Sequence, residues 1–338
     1  MKNLLVPIAI LCGLSMAGTA VAQETLAKVK ERGAVNCGVT EGVAGFSLPD
    51  EAGYWVGIES DYCRAIAAAI FNDITKVNFT PLNSTNRWEY LSNGSVDVLS
   101  RQTTWTMQRD TELGITFVGT MFYDGQGFMV RKESGVTSAL ELSDAQVCIE
   151  QGTTTELNAA DYFAANGMNF KTVTFVGQDE TVKAYEEGRC DVYTTDSSVL
   201  AAERSGFANP DEHIILPEII SKEPLGPSVR TGDSQWFNLA RWTYYALLNA
   251  EELGVTQANV DEMLKSTDPS IQRLLGVDGK FGSFIGLEND WAYRIIKQVG
   301  NYGELYEKHL GENTPIGIPR GVNNLWTKGG IQYAPPIR

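Results

Sequence analysis

The stretch Asp144–Gly167, DAQVCIEQGTTTELNAADYFAANG, contains a strand pattern, a loop and a helix pattern in succession. The apolar run Asp144–Ile149 predicts a buried strand, and Glu156–Asn166 predicts a helix that ends at Gly167. A further strand, helix and strand are predicted downstream over Val173–Val176, Glu180–Glu187 and Cys190–Thr194. Strands that alternate with helices predict an α/β fold with a largely parallel sheet.

The N-terminal half of the chain has the same alternation. Its predicted strands and helices are Val35–Val39, Glu59–Phe71, Val77–Thr80, Arg87–Asn93 and Ser95–Leu99. The chain passes between the two units at GQG (125–127) and again at PLGP (224–227). Two crossings flanked by Gly or Pro predict two doubly wound lobes joined by a hinge, with a cleft between them. A helical tail follows, with Trp236–Glu252 and Asp290–Leu310 as its clearest segments.

The charge and the N-terminus restrict the function. The 338 residues include 27 Lys and Arg against 42 Asp and Glu, a formal charge of −15. Because a nucleic-acid binder must neutralise phosphates with cations, this charge excludes a nucleic-acid partner. Lys2, the apolar run Leu4–Leu14 and the AVA of residues 20–22 predict a signal peptide over residues 1–22, cleaved after Ala22. The chain is therefore expected to be exported.

Cysteine and histidine patterns indicate disulfides rather than a metal site or a catalytic site. The cysteines beyond the signal are Cys37, Cys63, Cys148 and Cys190, which allow three pairings. Their spacing lacks the close pairs of a zinc site. The two histidines are far apart, and no phosphate loop, dinucleotide fingerprint or nucleophile motif occurs. No metal, cofactor or catalytic residue is expected.

Three segments lie where a ligand binds in open α/β sheets, after the strands and near helix N-termini. The segment Arg101–Arg109, RQTTWTMQR, offers hydroxyl groups and a guanidinium group, which suit a carboxylate. The loop GTTT (152–155) opens a helix, whose N-terminus favours an anion. Asp196 follows a strand and suits an ammonium group. Together they describe a site for an amino acid.

These segments resemble a known family. GIESD (57–61) before an Ala-rich helix is similar to the Gly-Phe-Asp-x-Asp segment of periplasmic solute-binding proteins for polar amino acids. Four further motifs follow in that family's order, namely Leu91-x-x-Gly94-x-x-Asp97, Thr104-x-Thr106-x-x-Arg109, Gln151-Gly152-Thr153-Thr154 and Asp196. The tail segments GNYGE (300–304) and GGIQY (329–333) resemble the longer, general L-amino acid-binding branch. Members of this family deliver ligand to the membrane permease of an ATP-driven (ABC) importer.

The resemblance implies roles for individual residues. Arg109 is similar to the arginine that pairs with the ligand α-carboxylate, with Thr104 and Gln102 adding contacts. Thr154 and the adjacent Thr155 resemble the second-lobe residues that close on that carboxylate. Asp196 resembles the acid that receives the α-ammonium group. The remaining candidates are Phe46, which stands where the family has Pro-Phe, and Arg87.

The resemblance also implies an architecture. A class II periplasmic binding protein is expected, with its first lobe formed by residues 23–126 and 228–338 and its second by residues 127–227. It should be a monomer in the periplasm. Because lobes that hinge should not be cross-linked to each other, one disulfide is expected in each lobe, Cys37–Cys63 and Cys148–Cys190.

Arg87 gives a cue to specificity. It opens a predicted helix, where a cation is unfavourable, so another interaction should hold it there. The resemblance places this position at the side-chain end of the pocket, which favours glutamate, aspartate, glutamine and asparagine as ligands. A surface ion pair with Glu89 or Glu51 is the alternative.

Two other functions remain open for the whole chain. The same fold serves exported dehydratases of cyclic carboxylic acids, for which Glu41 or Asp196 would be the general acid. A chemoreceptor partner would use the same ligand site.

Overall fold

The computed structural model describes residues 24–338, so the predicted signal peptide and its cleavage site lie outside the described residues. The helices are α1 (Thr25–Arg32), α2 (Ile58–Phe71), α3 (Arg87–Ser92), α4 (Met107–Glu112), α5 (Thr154–Ala165), α6 (Gln178–Glu186), α7 (Ser197–Gly206), α8 (Ser234–Glu252), α9 (Val260–Met263), α10 (Pro269–Leu274), α11 (Phe281–Phe284), α12 (Trp291–Gln298) and α13 (Tyr302–His309). The strands are β1 (Val35–Val39), β2 (Leu48–Pro49), β3 (Trp55–Val56), β4 (Val77–Pro81), β5 (Val98–Leu99), β6 (Ile115–Phe117), β7 (Phe122–Asp124), β8 (Gln126–Arg131), β9 (Gln146–Glu150), β10 (Lys171–Phe175), β11 (Val192–Asp196), β12 (His213–Ile215), β13 (Glu223–Leu225) and β14 (Ser228–Arg230).

Two five-stranded sheets form the centres of two lobes. Sheet A has the order β4-β1-β5-β14-β6, and sheet B has the order β10-β9-β11-β8-β12. In each sheet three strands are parallel, and a fourth strand, β14 or β8, runs antiparallel to both of its neighbours. These two strands are the ones that follow a crossing between the lobes. The predicted two-lobed α/β fold is confirmed.

The crossings pair with each other as a small antiparallel sheet of β7 and β13. Their connections are tightly packed, because a Cβ on Gly226 would come within 1.9 Å of the Gly119 carbonyl oxygen. Glycine is therefore required at this point of PLGP (224–227). The hinge that was predicted from Gly and Pro therefore consists of two neighbouring chain segments, β7 and β13.

Helix α2 is buried between sheet A and the C-terminal helices. Twelve of its residues, from Ile58 to Ala69, are buried, which explains why alanines fill its sequence. Its last turn ends at Asn72 in the left-handed conformation, φ 55°. Buried side chains of the helix, of sheet A and of the C-terminal tail form one continuous hydrophobic core in the first lobe.

Two disulfides join the pairs expected from a hinged molecule. Cys37 in β1 bonds to Cys63 in α2, and Cys148 in β9 bonds to Cys190 just before β11. All four are buried. Each bridge lies within one lobe, so neither restrains the hinge.

Some element boundaries differ from the prediction. The segment Asp290–Leu310 is two helices, because Gly300 has a φ of 99° and Asn301 caps α13 with a capping box. Only Val98 and Leu99 of the predicted strand Ser95–Leu99 pair in the sheet. The carboxylate of Asp97 instead accepts the backbone N–H of Asn36 at 2.8 Å.

The tail after α13 passes over the first crossing. The side chain of Asn323 accepts the backbone N–H of Tyr123 at 2.7 Å and donates to its carbonyl oxygen at 3.1 Å. The amide of Gln332 donates to the carbonyl oxygens of Thr120 and Met121, both at 3.2 Å. The tail thus supplies hydrogen-bond partners for backbone groups next to the hinge. Across residues 24–338, no helix combines the length and apolar character needed to cross a membrane.

Candidate functional site

A cavity lies between the lobes, where the carboxyl ends of the strands of both sheets meet. Seven of the eight candidate ligand residues line it, namely Arg87, Gln102, Thr104, Arg109, Thr154, Thr155 and Asp196. They come from four separate segments of the chain. The fold therefore brings together most of the residues that the motifs identified.

Arg109 supplies a buried cation in this cavity. Its helix α4 begins after Thr106, whose hydroxyl accepts the Arg109 backbone N–H at 3.2 Å. The guanidinium donates to the Thr104 carbonyl oxygen at 3.0 Å, and it lies 5.4 Å from the ring of Trp88. Burial lowers the pKa of Arg109 to about 10, so the group is cationic at neutral pH. A planar cation held in this way suits a carboxylate.

Asp196 supplies a buried carboxyl group. It is the last residue of β11, two residues later than the predicted strand end, and is 7% exposed. Burial and the nearby carboxylates of Asp124 and Glu223 raise its pKa well above its ordinary value, while Arg109 and Arg87 oppose this rise. An ammonium group in the cavity would compensate the buried charge.

The N-terminus of α5 forms the wall contributed by the second lobe. Thr154 and Thr155 are its first two residues, and the N-cap residue Thr153 makes no side-chain cap. The first-turn N–H groups of a twelve-residue helix lie beside the cavity, which favours an anion there. The Thr155 carbonyl oxygen accepts the Gln126 amide at 3.1 Å, which anchors this turn to β8.

Gln102 has a strained backbone. Its φ is 39°, in the left-handed region, and its backbone N–H donates to Glu59 of α2. The side-chain Nε2 of Gln102 is buried without a hydrogen-bond partner among residues 24–338. An unpaired buried donor beside a cavity is available to a ligand.

Arg87 opens α3 and is 2% exposed. Its guanidinium lies 4.4 Å from the ring of Trp88 but makes no hydrogen bond or ion pair within the described part of the chain, and its Nε is buried and unpaired. The surface pairing with Glu89 or Glu51 is therefore wrong. Burial lowers the pKa of Arg87 well below its ordinary value, and Arg101 and Arg109 lower it further.

Phe46 is the exception among the candidates. Its side chain is 1% exposed and belongs to the core of the first lobe. Its ring packs edge-on against Phe122 at 5.6 Å and does not line the cavity. The assignment of Phe46 to the ligand site is corrected, because its side chain is directed into the apolar core.

Sequence reasoning missed several residues of the site. Glu223 in the second crossing accepts hydrogen bonds from Thr104 Oγ1 at 2.6 Å, Thr154 Oγ1 at 2.9 Å and Asn158 Nδ2 at 2.7 Å. No local motif marks it, because its partners come from both lobes. Glu223 lies behind these hydroxyl groups and is not itself a lining residue. The lining residues outside the predicted motifs are Ser84, Glu150, Gln178, Thr195 and Val199, and Arg101 and Thr153 line the cavity from within the predicted segments.

The two lobes are in contact around the cavity. The Ser84 backbone N–H donates to Glu150 Oε1 at 3.3 Å, and the hydroxyls of Thr104 and Thr154 lie 3.4 Å apart. The space in the cavity that water can occupy is about 30 Å³, which is room for about two water molecules. A ligand of amino acid size therefore needs the lobes to open or the lining side chains to move. Among residues 24–338, no group of three or more metal-ligating side chains is placed to hold a metal ion.

Comparison with known proteins agrees with this geometry. Residues 35–257 match the model of the bacterial extracellular solute-binding proteins, family 3. The chain belongs to this family. The match covers the strands and helices of both lobes that line the cavity.

Similar solute-binding proteins match over nearly the whole chain. The general L-amino acid-binding periplasmic protein AapJ of Rhizobium johnstonii is 56% identical over 100% of both chains. The glutamate/glutamine/aspartate/asparagine-binding protein BztA of Rhodobacter capsulatus is 50% identical over 96% of both chains. A solved ABC transporter periplasmic binding protein from Brucella ovis, with glutathione bound, has a TM-score of 0.91 and 55% identity, covering 93% of this chain and 99% of that one.

These solute-binding proteins are named for binding, not for catalysis. They favour a binding protein over the dehydratase alternative. The names of AapJ and of the Brucella ovis protein include the word periplasmic. This agrees with the export that the N-terminus predicts.

Proposed function

We propose that this protein captures L-amino acids in the cleft between its lobes and presents them to the permease of an ABC importer. The observation that carries the proposal is that a buried cation, Arg109, and a buried carboxyl group, Asp196, line the same cavity. An α-amino acid carries a carboxylate group and an ammonium group on the same α-carbon. The two receptors match that zwitterion.

The roles of the lining residues follow from their chemistry. Arg109 pairs with the α-carboxylate, assisted by Thr104, Gln102 and the N–H groups of Thr154 and Thr155. Asp196 receives the α-ammonium group. The unpaired guanidinium of Arg87 is available to the ligand's side chain. Glutamate, aspartate, glutamine and asparagine each carry an acceptor oxygen at that end, and BztA is named for these four ligands.

Transport follows from closure of the lobes. The first lobe comprises residues 23–126 and 228–338, and the second comprises residues 127–227. Ligand that contacts both lobes stabilises the closed form, because it binds that form more tightly than the open one. The closed surface is what the permease would recognise. The protein is expected to act as a periplasmic monomer after cleavage following Ala22.

Glutathione is a second candidate ligand. The Brucella ovis protein was solved with glutathione bound, and the γ-glutamyl end of glutathione carries the same α-carboxylate and α-ammonium groups as glutamate. The Arg109 and Asp196 receptors would accept it in the same orientation.

A calorimetric panel tests the proposal. Purified protein is titrated with each of the twenty amino acids and with glutathione. Tight binding of the four acids and amides is expected. Arg109→Ala should lower affinity by about 100-fold or more, because a broken buried charge pair costs about 3–5 kcal/mol. A wild-type preference for lysine or arginine would contradict the specificity, since Arg87 repels a second cation.

Two further measurements address the alternatives. Turnover of prephenate or arogenate would overturn the binding function in favour of the enzyme. Binding of no amino acid and no γ-glutamyl peptide by protein with an intact fold would overturn the proposed function as a whole.

A further inference from the structure

The cavity holds a third arginine that the family motifs do not assign. Arg101 follows β5, is 5% exposed and lines the cavity together with Arg87 and Arg109. Its Nη1 donates to the Ser84 hydroxyl at 3.0 Å, while its Nε is buried without a partner within residues 24–338. None of the three arginines forms an ion pair in this described range. Three buried cations therefore share one small cavity.

The protein's own acids do not pair with these cations at the side-chain end of the cavity. Glu150 lies near Arg87, but its Oε1 accepts the Ser84 backbone N–H. Glu59 lies near Arg101, but its Oε1 accepts the Gln102 N–H and burial raises its pKa to about 7. Glu41, also near Arg101, has a pKa that burial raises and that Arg101 partly lowers, and it forms no ion pair with Arg101 within residues 24–338.

A neutral amino acid offers no ion pair to Arg87 or Arg101. Its α-carboxylate is taken by Arg109 and its α-ammonium group by Asp196, so its net contribution to the cavity is zero. Arg87 and Arg101 would remain buried and without an ion pair, which is costly for charged groups. A ligand with a second carboxylate would pair with both.

We infer that Arg101 acts with Arg87 as the receptor for a second carboxylate of the ligand, so that Arg101 selects acids over the corresponding amides. The inference rests on the proposed function, since it takes the α-groups to be held by Arg109 and Asp196. Arg87 contacts either an acid or an amide at this end of the ligand. Arg101 adds the charge that distinguishes them. The second carboxylate belongs either to the side chain of an acidic amino acid or to the C-terminus of a γ-glutamyl peptide.

The test compares acids with their amides in matched variants. Calorimetry gives the affinity ratio of glutamate to glutamine, and of aspartate to asparagine, for wild type, Arg101→Gln and Arg101→Lys. Wild type is expected to favour each acid by at least about tenfold. Arg101→Gln should reduce each ratio by about fivefold or more, because Arg87 alone then remains to pair with the second carboxylate, and glutamine affinity should fall by a smaller factor than glutamate affinity. Arg101→Lys, which keeps the charge, should retain a preference for the acid.

Glutathione and its glycine ethyl ester separate the two sources of the carboxylate. If glutathione supplies it, esterification and Arg101→Gln should each weaken glutathione binding, and their combined effect should not exceed the larger one. If the side chain of glutamate or aspartate supplies the second carboxylate, Arg101→Gln changes the acid-to-amide affinity ratio. The glycine ethyl ester then binds with the same affinity as glutathione. Arg189→Ala, which removes an exposed arginine of the second lobe outside the cavity, is the control for net charge and should leave every ratio unchanged.

Failure of the inference is distinct from failure of the proposed function. If wild type binds amino acids through Arg109 and Asp196 but Arg101→Gln keeps the wild-type ratios for both acids and for glutathione, the role of Arg101 is overturned and the binding function stands. If wild type binds none of these ligands, the proposed function itself is overturned.

Discussion

At the scale of single residues, Asp196 is a carboxyl group whose protonation responds to its neighbours. Its burial and the carboxylates of Asp124 and Glu223 raise its pKa, so the protein without ligand binds a proton there more readily than a free aspartate does. The pKa of Asp124 is itself raised, to about 6, by burial. A bound ammonium group favours the ionised form of Asp196 and lowers its pKa.

This shift predicts a pH dependence of amino acid binding. Because the ligand-bound form has the lower pKa at Asp196, binding releases a proton when the pH lies between the two pKa values. Affinity should therefore fall as the pH is lowered through the raised pKa, by at most about tenfold per pH unit for one proton. Calorimetry from pH 8 to pH 5 measures this.

Variants identify the titrating group. Asp196→Asn should bind more weakly and lose most of the pH dependence. Asp211→Asn, which changes an exposed aspartate of the same lobe, should retain the wild-type curve. A pH profile of Asp196→Asn with the wild-type slope would assign the titration to another group.

Glu59 predicts a second pH effect, on stability. Burial raises its pKa from 4.5 to about 7, so the folded protein binds more protons than the unfolded chain between these values. The free energy of unfolding should therefore decrease as the pH rises from about 4.5 to 7. A shift of this size corresponds to about 3 kcal/mol.

Glu59→Gln isolates this contribution. The glutamine oxygen can still accept the Gln102 N–H, so the variant should fold and should lose less stability over the same pH range. Urea denaturation at pH 5 and pH 7 gives the difference between variant and wild type. Equal losses in the two proteins would exclude Glu59 as the source.

At the scale of elements, the disulfides fasten a strand to its neighbouring structure within each lobe. Cys37–Cys63 closes a segment with a sequence separation of 26, and Cys148–Cys190 closes one of 42. The chain-entropy model gives roughly 3–4 kcal/mol for loops of these lengths. Replacing either pair by alanine should reduce the free energy of unfolding by about that amount.

Urea denaturation of Cys37→Ala/Cys63→Ala and of Cys148→Ala/Cys190→Ala measures the loss. At low temperature both variants should still bind ligand, because neither bridge touches the cavity. Non-reducing peptide mapping of the wild type checks the pairing itself. A peptide that joins Cys37 to Cys148, or free thiols throughout, would contradict it.

Most element types were predictable because local patterns specify them. Strand β1 matches its predicted bounds, and α2 begins one residue earlier than expected. The predicted strand Cys190–Thr194 pairs over Val192–Asp196 instead. Which residues of this segment pair in the sheet depends on the neighbouring strands β8 and β9. The local sequence pattern does not reveal that pairing.

At the scale of the whole molecule, Glu223 connects the lobes at the hinge. Its buried carboxylate accepts from Thr104 of the first lobe and from Thr154 and Asn158 of the second. Hydrogen bonds to a charged group each contribute about 1.5–3 kcal/mol. These contacts exist together only while the lobes are closed.

Glu223→Ala is therefore expected to open the molecule. Without ligand its radius of gyration in solution scattering should exceed that of wild type, and ligand affinity should fall by about tenfold or more. Glu218→Ala is the control, because the Glu218 carboxylate accepts hydrogen bonds from Ser138 and Ala139, both in the second lobe. Wild-type scattering and affinity in Glu223→Ala would show that this carboxylate does not hold the lobes together.

The periodicity, the turn residues and the ordered motifs were enough to predict the two-lobed α/β class and the crossings, and they identified seven residues that line one cavity. Such features are local, because backbone preference and burial pattern act over a few neighbouring residues. Phe46 was misplaced, since a sequence position does not show whether a side chain is directed into the core or into the cavity. Folding alone brings Glu223 between Thr104 and Thr154, and it alone leaves Arg87 and Arg101 buried without an ion pair. The electrostatics of the site depend on distances between segments far apart in the chain, and packing sets those distances.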